Sequence, residues 1–210
     1  MTEKTAQKEP GKKPAPSKKP KPQQEVVVQI PLSELHPFPD HPFQVREDAS
    51  MQETAESVKE YGVLVPALAR PREDGGYELI AGHRRKHACE LAGLATMPVI
   101  VRDIDRDAAT IIMVDSNLQR ENILPSERAK AYKMKMEAIK RQGARTDLTS
   151  PKISAKFRSD DEVGQDAGVS GDTIRNYIAL TQLVPELQQM VDEKKIALSP
   201  AYQIASLTPK

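Results

Sequence analysis

The sequence predicts an α+β domain followed by an all-α domain, and two observations support this prediction. Between residues 26 and 117, short β-branched runs alternate with segments that repeat apolar residues at helical spacing. From residue 118 to residue 210, only helical patterns follow. Residues 1–25 contain seven Lys and three Glu but almost no large apolar side chain, so we expect a disordered basic tail. This tail either keeps the protein in solution or docks a partner or DNA loosely.

The composition excludes several classes of protein. Lys and Arg outnumber Asp and Glu by only one, 31 to 30, so net charge alone does not indicate a nucleic-acid partner. Cys89 is the single cysteine, which excludes a disulfide framework and suits a reducing cytoplasm; we expect its side chain to be buried and inert. No apolar run approaches the roughly 20 residues of a membrane span, and the N-terminus lacks the apolar segment of a secretory signal. We therefore expect a cytoplasmic protein.

Strand and helix signals alternate in the first domain. A β-branched strand is expected at residues 25–30, and three prolines predict an irregular loop at residues 32–43. Ser50 is placed to cap a helix whose apolar residues recur at helical spacing up to Tyr61 and that ends at Gly62. The elements that follow are a strand at 65–70, a hairpin turn at 74–76, a strand at 77–81, a helix at 83–91, a strand at 97–101 and a helix at 107–117.

The start of the helix at residues 83–91 is unusually basic. Gly82 separates it from the preceding strand, and Arg84, Arg85 and Lys86 lie in its first turn. Cations in that turn oppose the helix dipole at a cost of roughly 0.3–1 kcal/mol each. A bound anion would remove the conflict, because free backbone N–H groups and guanidinium forks favour phosphate. The turn therefore predicts an anion site, and the alternative is a solvated basic turn on a surface helix.

The second domain is predicted to be helical throughout. A long helix is expected at residues 125–142, and a polar loop at residues 143–159. A pair of helices comes next, then a helix at residues 185–195 and a short one from Ser199. The apolar residues expected on one face of the long helix are Ala129, Tyr132, Met136 and Ile139.

The pair of helices has the pattern of a helix-turn-helix. Such a motif needs a small residue where its helices cross, and Gly164 supplies it; Gly168 fits the tight turn. Val169 is expected to plug the angle between the helices, and Ser170 to cap the second one. The alternative is an αα-hairpin that only packs against its neighbours.

The second helix of the pair is the candidate DNA-recognition helix, which in this motif meets base edges in the major groove. Arg can pair with guanine there, and Asn with adenine. From Pro125 onward the chain contains 14 Lys and Arg and 11 Asp and Glu, so this region is only mildly basic. We therefore expect a modest, salt-sensitive affinity for DNA, which dimerisation would strengthen. The residues predicted to contact DNA are Ser170, Gly171, Asp172, Thr173, Arg175 and Asn176, of which Gly171, Asp172, Arg175 and Asn176 are expected to face outward.

Three short motifs precede the helix pair in a fixed order. They are His-Pro-Phe-Gln-Val-Arg at residues 41–46, Gly-His-Arg-Arg at residues 82–85 and Ser-Asn-Leu-Gln-Arg at residues 116–120. In these motifs and the helix pair, from about Val26 to Thr208, the chain resembles the ParB-type chromosome and plasmid partition proteins. The resemblance implies a small ParB/sulfiredoxin-like nucleotide-binding domain at residues 26–117 and a helix-turn-helix DNA-binding domain at residues 118–210.

The resemblance also implies a function. Members of the family bind CTP with Mg²⁺ in the N-terminal domain and bind a palindromic, centromere-like DNA site through the helix-turn-helix. CTP and the site together close a homodimer into a sliding clamp, and slow hydrolysis to CDP reopens it. The N-terminal tail contacts a ParA-type Walker ATPase. We accordingly expect a nucleoid- or plasmid-associated protein.

Matching the motifs position by position assigns expected roles to individual residues. Arg84, Arg85 and the Gly82 turn would hold the triphosphate, and the segment at residues 62–66 would border the base. Asn117 would help to hold the metal ion, and Gln44 would act in hydrolysis. The full set expected to bind the nucleotide is Arg46, Gly62, Gly82, His83, Arg84, Arg85, Asn117, Gln119 and Arg120.

Two positions depart from the family motifs. His83 and Ser116 stand where the family has Glu. A carboxylate suits Mg²⁺, whereas a hydroxyl is a weaker ligand and imidazole suits softer metals. We therefore predict that the chain binds a nucleotide but is at most a weak CTPase. The departures leave an alternative open, a ParB-related transcriptional or nucleoid-associated regulator without nucleotide turnover.

Two enzyme alternatives come from the same fold. Sulfiredoxins place a reactive Cys directly after the Gly of the turn, where this chain has His83, and Cys89 lies six residues further on. Kinase chemistry on a small molecule is the other enzyme alternative, and the helix-turn-helix argues against it as the sole function.

Family members usually continue to a separate dimerisation segment, and we expect none within these 210 residues.

Overall fold

The computed structural model describes residues 25–120, 122–146 and 159–207, so residues 1–24 of the predicted tail and most of the predicted polar loop lie outside the described residues. Five strands come first in the chain together with three helices, and five further helices follow. The strands are β1 (Val27–Pro31), β2 (Leu35–Pro37), β3 (Ala67–Pro71), β4 (Tyr77–Ala81) and β5 (Thr96–Val101). The helices are α1 (Ala49–Tyr61), α2 (His83–Leu91), α3 (Arg106–Leu118), α4 (Pro125–Thr146), α5 (Ser159–Ala167), α6 (Gly171–Ala179), α7 (Pro185–Asp192) and α8 (Leu198–Leu207), with short 3₁₀ helices at Leu32–Glu34 and Leu180–Gln182.

The strands form one mixed sheet in the order β1-β5-β3-β4-β2. β1 runs antiparallel to β5, β5 runs parallel to β3, and β3 and β4 form the predicted hairpin. β2 pairs parallel with β4 at the sheet edge, with Leu35 opposite Tyr77. The predicted loop at residues 32–43 is therefore wrong for Leu35–Pro37. Pro37 is tolerated in this strand because an edge strand has one side without a hydrogen-bonding neighbour.

The first helix begins differently from the prediction. Asp48, not Ser50, is its N-cap, and the Asp48 carboxylate accepts a hydrogen bond from the Met51 backbone N–H at 2.9 Å. Ser50 lies within the first turn. The helix ends at Gly62 as predicted, but Tyr61 is 64% exposed and takes no part in the buried face.

The sheet is covered on both faces, because successive side chains of a strand point to opposite sides. Leu79 packs under α1 and α2, whereas its neighbour Ile80 packs with α3 and α4. The first core also buries Cys89, as predicted, and burial raises the pKa of its thiol. The second core includes Ala131 of α4, so the first helix of the helical domain completes the core of the sheet domain. Among the described residues, no helix is long and apolar enough to cross a membrane.

The long helix α4 packs against the other helices as the sequence predicts. Ala129 and Tyr132 are buried in separate cores, and Met136 and Ile139 pack against the second of them. The helix extends to Thr146, four residues beyond the predicted end at Gln142. α7 ends at Asp192 rather than at Lys195, and α8 begins at Leu198.

A buried lysine connects three of the helices. The Lys135 side chain on α4 is 1% exposed, and its ammonium donates hydrogen bonds to Asp115 of α3 at 2.7 Å and to Asp166 of α5 at 2.9 Å. Burial alone would lower the pKa of Lys135, but these two hydrogen bonds outweigh it and the pKa is raised. The ammonium therefore stays charged inside the protein.

Lys135→Met should lower the free energy of unfolding by about 1–3 kcal/mol. Removal of one partner of a buried ion pair costs more than this, but both carboxylates are about half exposed and can be solvated. Urea unfolding followed by circular dichroism measures the change. Lys130→Met, at an exposed position of the same helix, is the control and should have little effect. Equal stability of the two variants would contradict the expectation.

Candidate functional site

The predicted turn between β4 and α2 forms as expected, and its geometry requires glycine. Gly82 has a φ of 111°, in the region that side chains disfavour. A Cβ atom on Gly82 would lie 2.8 Å from the Ala67 Cβ, so space also excludes a side chain. The turn brings the start of α2 close to β3 and to the start of α1.

The three sequence motifs meet around one cavity of about 600 Å³. Gln44 and Arg46 come from the first motif, Arg84 from the second, and Gln119 and Arg120 from the third. These segments are far apart in the chain, so only the fold can bring them together. The remaining residues of the wall are Phe43, Asp48, Ser50, Asn122, Ile123 and Glu127.

Three arginines dominate the charge of this cavity. Arg84 donates a hydrogen bond to the Ser50 hydroxyl at 3.2 Å and lies 3.8 Å from the Asp48 carboxylate. In the described parts of the chain, no carboxylate oxygen lies within 4 Å of the guanidinium group of Arg46 or Arg120, so neither arginine forms an ion pair there. Burial lowers the pKa of Arg120, and the nearby charge of Arg84 lowers it further. The cavity is therefore a cationic site suited to an anion with several negative charges.

Arg85 does not line this cavity, although it was predicted to hold the triphosphate beside Arg84. Its guanidinium donates hydrogen bonds to the backbone carbonyls of Val65 at 2.5 Å and Pro66 at 2.7 Å. It instead lines a neighbouring cavity of about 390 Å³ together with the segment at residues 62–65. Arg85 thus fixes the segment that was expected to border the base.

Glu127 holds two walls of the main cavity together. Its carboxylate accepts hydrogen bonds from the backbone N–H of Gln44 at 3.0 Å and of Leu124 at 3.2 Å. The residue is 7% exposed, and it lies in the first turn of α4, where an acidic side chain suits the helix dipole. Glu127 fixes the first motif against the junction of α3 and α4.

Two histidines pack together beside the arginines. The rings of His41 and His83 have centroids 4.0 Å apart, and His41 Nδ1 lies 2.7 Å from the Phe43 carbonyl oxygen. Burial lowers the pKa of His83 to about 3, and the charges of His41, Arg120 and Lys86 act in the same direction. Both Nε2 atoms are buried and have no hydrogen-bond partner among the described residues. The pair is neutral at physiological pH.

Stability should fall as the pH drops from about 6.5 towards 3, because of His83. In the unfolded chain His83 binds its proton near pH 6.5, whereas in the folded chain it does so only near pH 3. Between these values the unfolded state binds the extra proton, so acid favours unfolding by up to about 1.4 kcal/mol for each pH unit. Urea unfolding across this range measures the slope. His83→Gln should make the slope of the free energy of unfolding against pH smaller than in the wild type, at pH values above those at which carboxylates titrate. Equal slopes in the two proteins would refute His83 as the origin of the pH dependence.

Asn117, the second residue of the third motif, is buried near the end of α3. Its side-chain N–H₂ donates to the Met113 carbonyl at 2.7 Å, while its Oδ1 has no hydrogen-bond partner within the described structure. Mg²⁺ is normally held by one or two carboxylates as well as by phosphate oxygens. Asn117 offers one neutral oxygen, and the neighbouring Asp115 is paired with Lys135. The residues present here do not match the Mg²⁺ site that the family resemblance implies.

The sequence analysis missed several residues of the site. Asp48 and Glu127 have ordinary helix-start positions, and His41 was noted only as part of a motif. A helix cap or an acidic first turn looks the same in a sequence whether or not it borders a cavity. The separation of 83 residues between Gln44 and Glu127 left no local signal for their contact.

The helix-turn-helix forms as predicted, and Gly164 is placed where α5 and α6 cross. A Cβ atom at Gly164 would lie 2.6 Å from the Val169 carbonyl oxygen. Gly168 occupies the turn with a φ of 68°, and the Ser170 hydroxyl caps α6 by accepting from the Thr173 N–H. Val169 does not plug the angle between the helices. It is 37% exposed, because its backbone rather than its side chain faces Gly164.

The exposed surface of α6 differs from the prediction at one position. Asp172, Arg175 and Asn176 are exposed as expected, but Gly171 is buried, and a Cβ atom there would collide with the Asp161 carboxylate. The exposed Arg175 side chain forms ion pairs with Asp160 and Asp172. Residues 159–179 contain five acidic residues and one arginine, so the phosphate contacts of a DNA complex must come largely from elsewhere.

Both parts of the chain match known protein families. The ParB N-terminal domain matches residues 16–118, and the ParB HTH domain matches residues 151–210. The chain belongs to the ParB family. This membership confirms the predicted fold class, an α+β ParB domain followed by a helix-turn-helix domain.

Individual ParB relatives show how far the similarity extends. Chromosome-partitioning protein Spo0J of Thermus thermophilus is 35% identical over 185 residues, which cover 88% of this chain and 61% of the relative. Stage 0 sporulation protein J of Bacillus subtilis is 30% identical over 187 residues, 89% of this chain and 60% of the relative. The chain thus spans about three fifths of the length of these relatives.

A solved structure is also similar. It is the C-terminally truncated chromosome-partitioning protein ParB from Caulobacter crescentus, complexed to the centromeric parS site. It is 28% identical to this chain with a TM-score of 0.55, and the match covers 85% of this chain and 84% of that one.

Proposed function

We propose that this protein is a DNA-partition protein in which CTP binding by the N-terminal domain switches a DNA clamp. The observation that carries the proposal is the convergence of three separate motifs on one arginine-rich cavity. Family membership supports it, and so does the similarity to a ParB protein complexed to its centromeric site.

The cavity assigns a task to each of its arginines. Arg84 lies at the start of α2 and is positioned by its hydrogen bond to Ser50. The free backbone N–H groups at the start of this helix also favour the binding of an anion. Arg46 and Arg120 line the same cavity, and neither has a carboxylate within 4 Å among the described residues, so both can bind phosphate oxygens. Arg85 acts indirectly: it donates hydrogen bonds to the segment at residues 62–66, which would border the base of the nucleotide.

The helix-turn-helix is the DNA-binding surface in this proposal, and its target is a palindromic, centromere-like DNA sequence. Asn176 is the exposed side chain of α6 best suited to a base edge, because Asn can pair with adenine. Arg175 can reach guanine only after leaving Asp160 and Asp172. A palindromic site requires two copies of the motif, so we propose a homodimer on DNA. The basic tail at residues 1–25 would contact a ParA-type ATPase, and the protein would be associated with the nucleoid or a plasmid in the cytoplasm.

Turnover of the nucleotide should be slow. Gln44 lines the cavity and its backbone is fixed by Glu127, which suits a role in orienting water. His83 cannot replace a carboxylate, because it is neutral and its Nε2 is buried. Ser116 donates its hydroxyl proton to the Met113 carbonyl at 2.9 Å and carries no charge.

The second candidate function is a ParB-related regulator that binds DNA without a nucleotide switch. The neutral side chains at His83 and Ser116 favour it, since they remove the acidic groups that nucleotide turnover would use. DNA binding would then be the same with and without CTP.

Retention on closed DNA distinguishes the two functions. The chain first selects its site from random DNA, and this site is placed on a DNA whose ends are both blocked. CTP should increase the protein retained after a high-salt wash by at least about tenfold, since a closed clamp does not depend on phosphate contacts. ATP and Arg84→Ala are the controls and should give no increase. Equal retention with and without CTP would overturn the switch and favour the regulator.

A further inference from the structure

The charge of the main cavity is not balanced by the acidic residues that the structure describes. Arg46, Arg84 and Arg120 contribute three cations, and within the described part of the chain Asp48 and Glu127 are the two carboxylates on the wall. Burial is the main cause of the lowered pKa of Arg120, and the charge of Arg84 lowers it further and outweighs the opposing charge of Glu127, so the arginines raise one another's free energy. A polyanion relieves this repulsion directly.

Both carboxylates are already engaged by backbone N–H groups. The two Glu127 oxygens accept separate hydrogen bonds, one from Gln44 and one from Leu124. The Asp48 Oδ1 caps α1 through the Met51 N–H. A divalent cation would have to compete with the Gln44–Glu127 contact that holds the cavity walls together, or with the cap of the helix that positions Ser50.

Within α3 itself (Arg106–Leu118), the last turn provides no further free negative charge. Asp115 is paired with the buried Lys135, and the Ser116 hydroxyl is bonded to the Met113 carbonyl. Asn117 Oδ1 remains as one buried oxygen without a partner among the described residues. It is neutral, and a single N–H or O–H donor of a ligand would satisfy it.

The surroundings of the histidine pair also oppose a metal ion. The pKa of His83 is lowered mainly by burial and further by the charges of neighbouring groups, including Arg120 and Lys86. Burial and nearby cations both raise the free energy of a divalent cation at this position as well. Imidazole is in any case a poor ligand for this hard cation.

We propose that this cavity binds the triphosphate of its nucleotide without a divalent metal ion, the arginines supplying the positive charge that Mg²⁺ otherwise provides. The inference rests on the proposed CTP site and defines its cofactor requirement. It makes the charge of the wall, rather than a metal ion, the determinant of affinity.

Calorimetric titration of the full chain with CTP tests the inference, once with Mg²⁺ and once with excess EDTA. The expected dissociation constants agree within about threefold. A dissociation constant at least about tenfold higher in EDTA would overturn the inference while leaving the CTP site intact. Absence of binding in both buffers, with Arg84→Ala unchanged from wild type, would overturn the CTP site itself.

A matched pair of variants tests the physical cause. Ser116→Glu places a carboxylate beside the Asn117 side chain, whose Nδ2 lies 3.4 Å from the Ser116 hydroxyl, and Ser116→Gln places a neutral group of the same size there. Ser116→Glu should bind CTP at least about tenfold more weakly in EDTA than in Mg²⁺, because the added charge repels phosphate until a cation neutralises it. Ser116→Gln should stay insensitive to EDTA. If both variants respond alike, the missing carboxylate is not the cause and the inference fails.

Discussion

Arg84→Ala should weaken CTP binding by roughly 10- to 150-fold, the loss expected when a charge-assisted contact of about 1.5–3 kcal/mol is removed. Arg84 is the arginine that lies both in the first turn of α2 and on the wall of the main cavity. Its position is fixed by Ser50, so little side-chain freedom is lost when it binds a phosphate. Calorimetric titration measures the change.

Two further variants separate charge from geometry at this position. Arg84→Lys keeps the positive charge but loses the planar fork, and it should bind CTP with intermediate affinity. Arg72→Ala removes an arginine from the hairpin region, where its contact with Asp74 is 3.7 Å long, and should leave affinity unchanged. A loss of affinity as large in Arg72→Ala as in Arg84→Ala would indicate a general charge effect and contradict the assigned site.

Gly164→Ala should lower the melting temperature by roughly 2–12 °C and abolish specific DNA binding, since overpacking costs about 1–3 kcal/mol. The added Cβ would meet the Val169 carbonyl oxygen at 2.6 Å, and a backbone atom cannot move away by changing rotamer. The two helices must therefore separate, which displaces α6 from the orientation that DNA recognition needs. Thermal unfolding and a gel shift measure the two effects.

Gly143→Ala is the matched control for this substitution. Gly143 also lies in a helix, α4, but a Cβ atom there would have nothing within 4 Å. Alanine at this position should raise stability by about 0.5–1 kcal/mol, because glycine is a poor helix former. If Gly164→Ala proved as stable as Gly143→Ala, the close crossing of α5 and α6 would be refuted.

The sequence predicts this fold well where local patterns determine it. The basic turn at Gly82, the hairpin between β3 and β4, and the cap at Ser170 each depend on a few adjacent residues. The strand Leu35–Pro37 was missed, because three residues next to proline show no alternation and the strand depends on pairing with β4.

The site shows the same division between local and distant signals. The motifs identified Arg46, Arg84 and Arg120, which do share one cavity. They did not show that Arg85 turns to the Val65 carbonyl, because adjacent residues of a helix point about 100° apart and only the fold decides what each one meets. The Arg175 ion pair with Asp160 likewise spans a turn whose shape the sequence does not state.

Lys135 has a consequence for the way the protein unfolds. Its contacts with Asp115 and Asp166 join a helix of the sheet domain to the first helix of the DNA-binding pair, and α4 itself enters the cores on both sides. The two domains therefore form one cooperative unit, which should melt in a single calorimetric transition. A substitution that unfolds either domain would then remove the proposed nucleotide binding and the proposed DNA binding together. Genetic separation of the two proposed activities requires surface variants, such as those at Arg84 or Asn176, that leave this shared core intact.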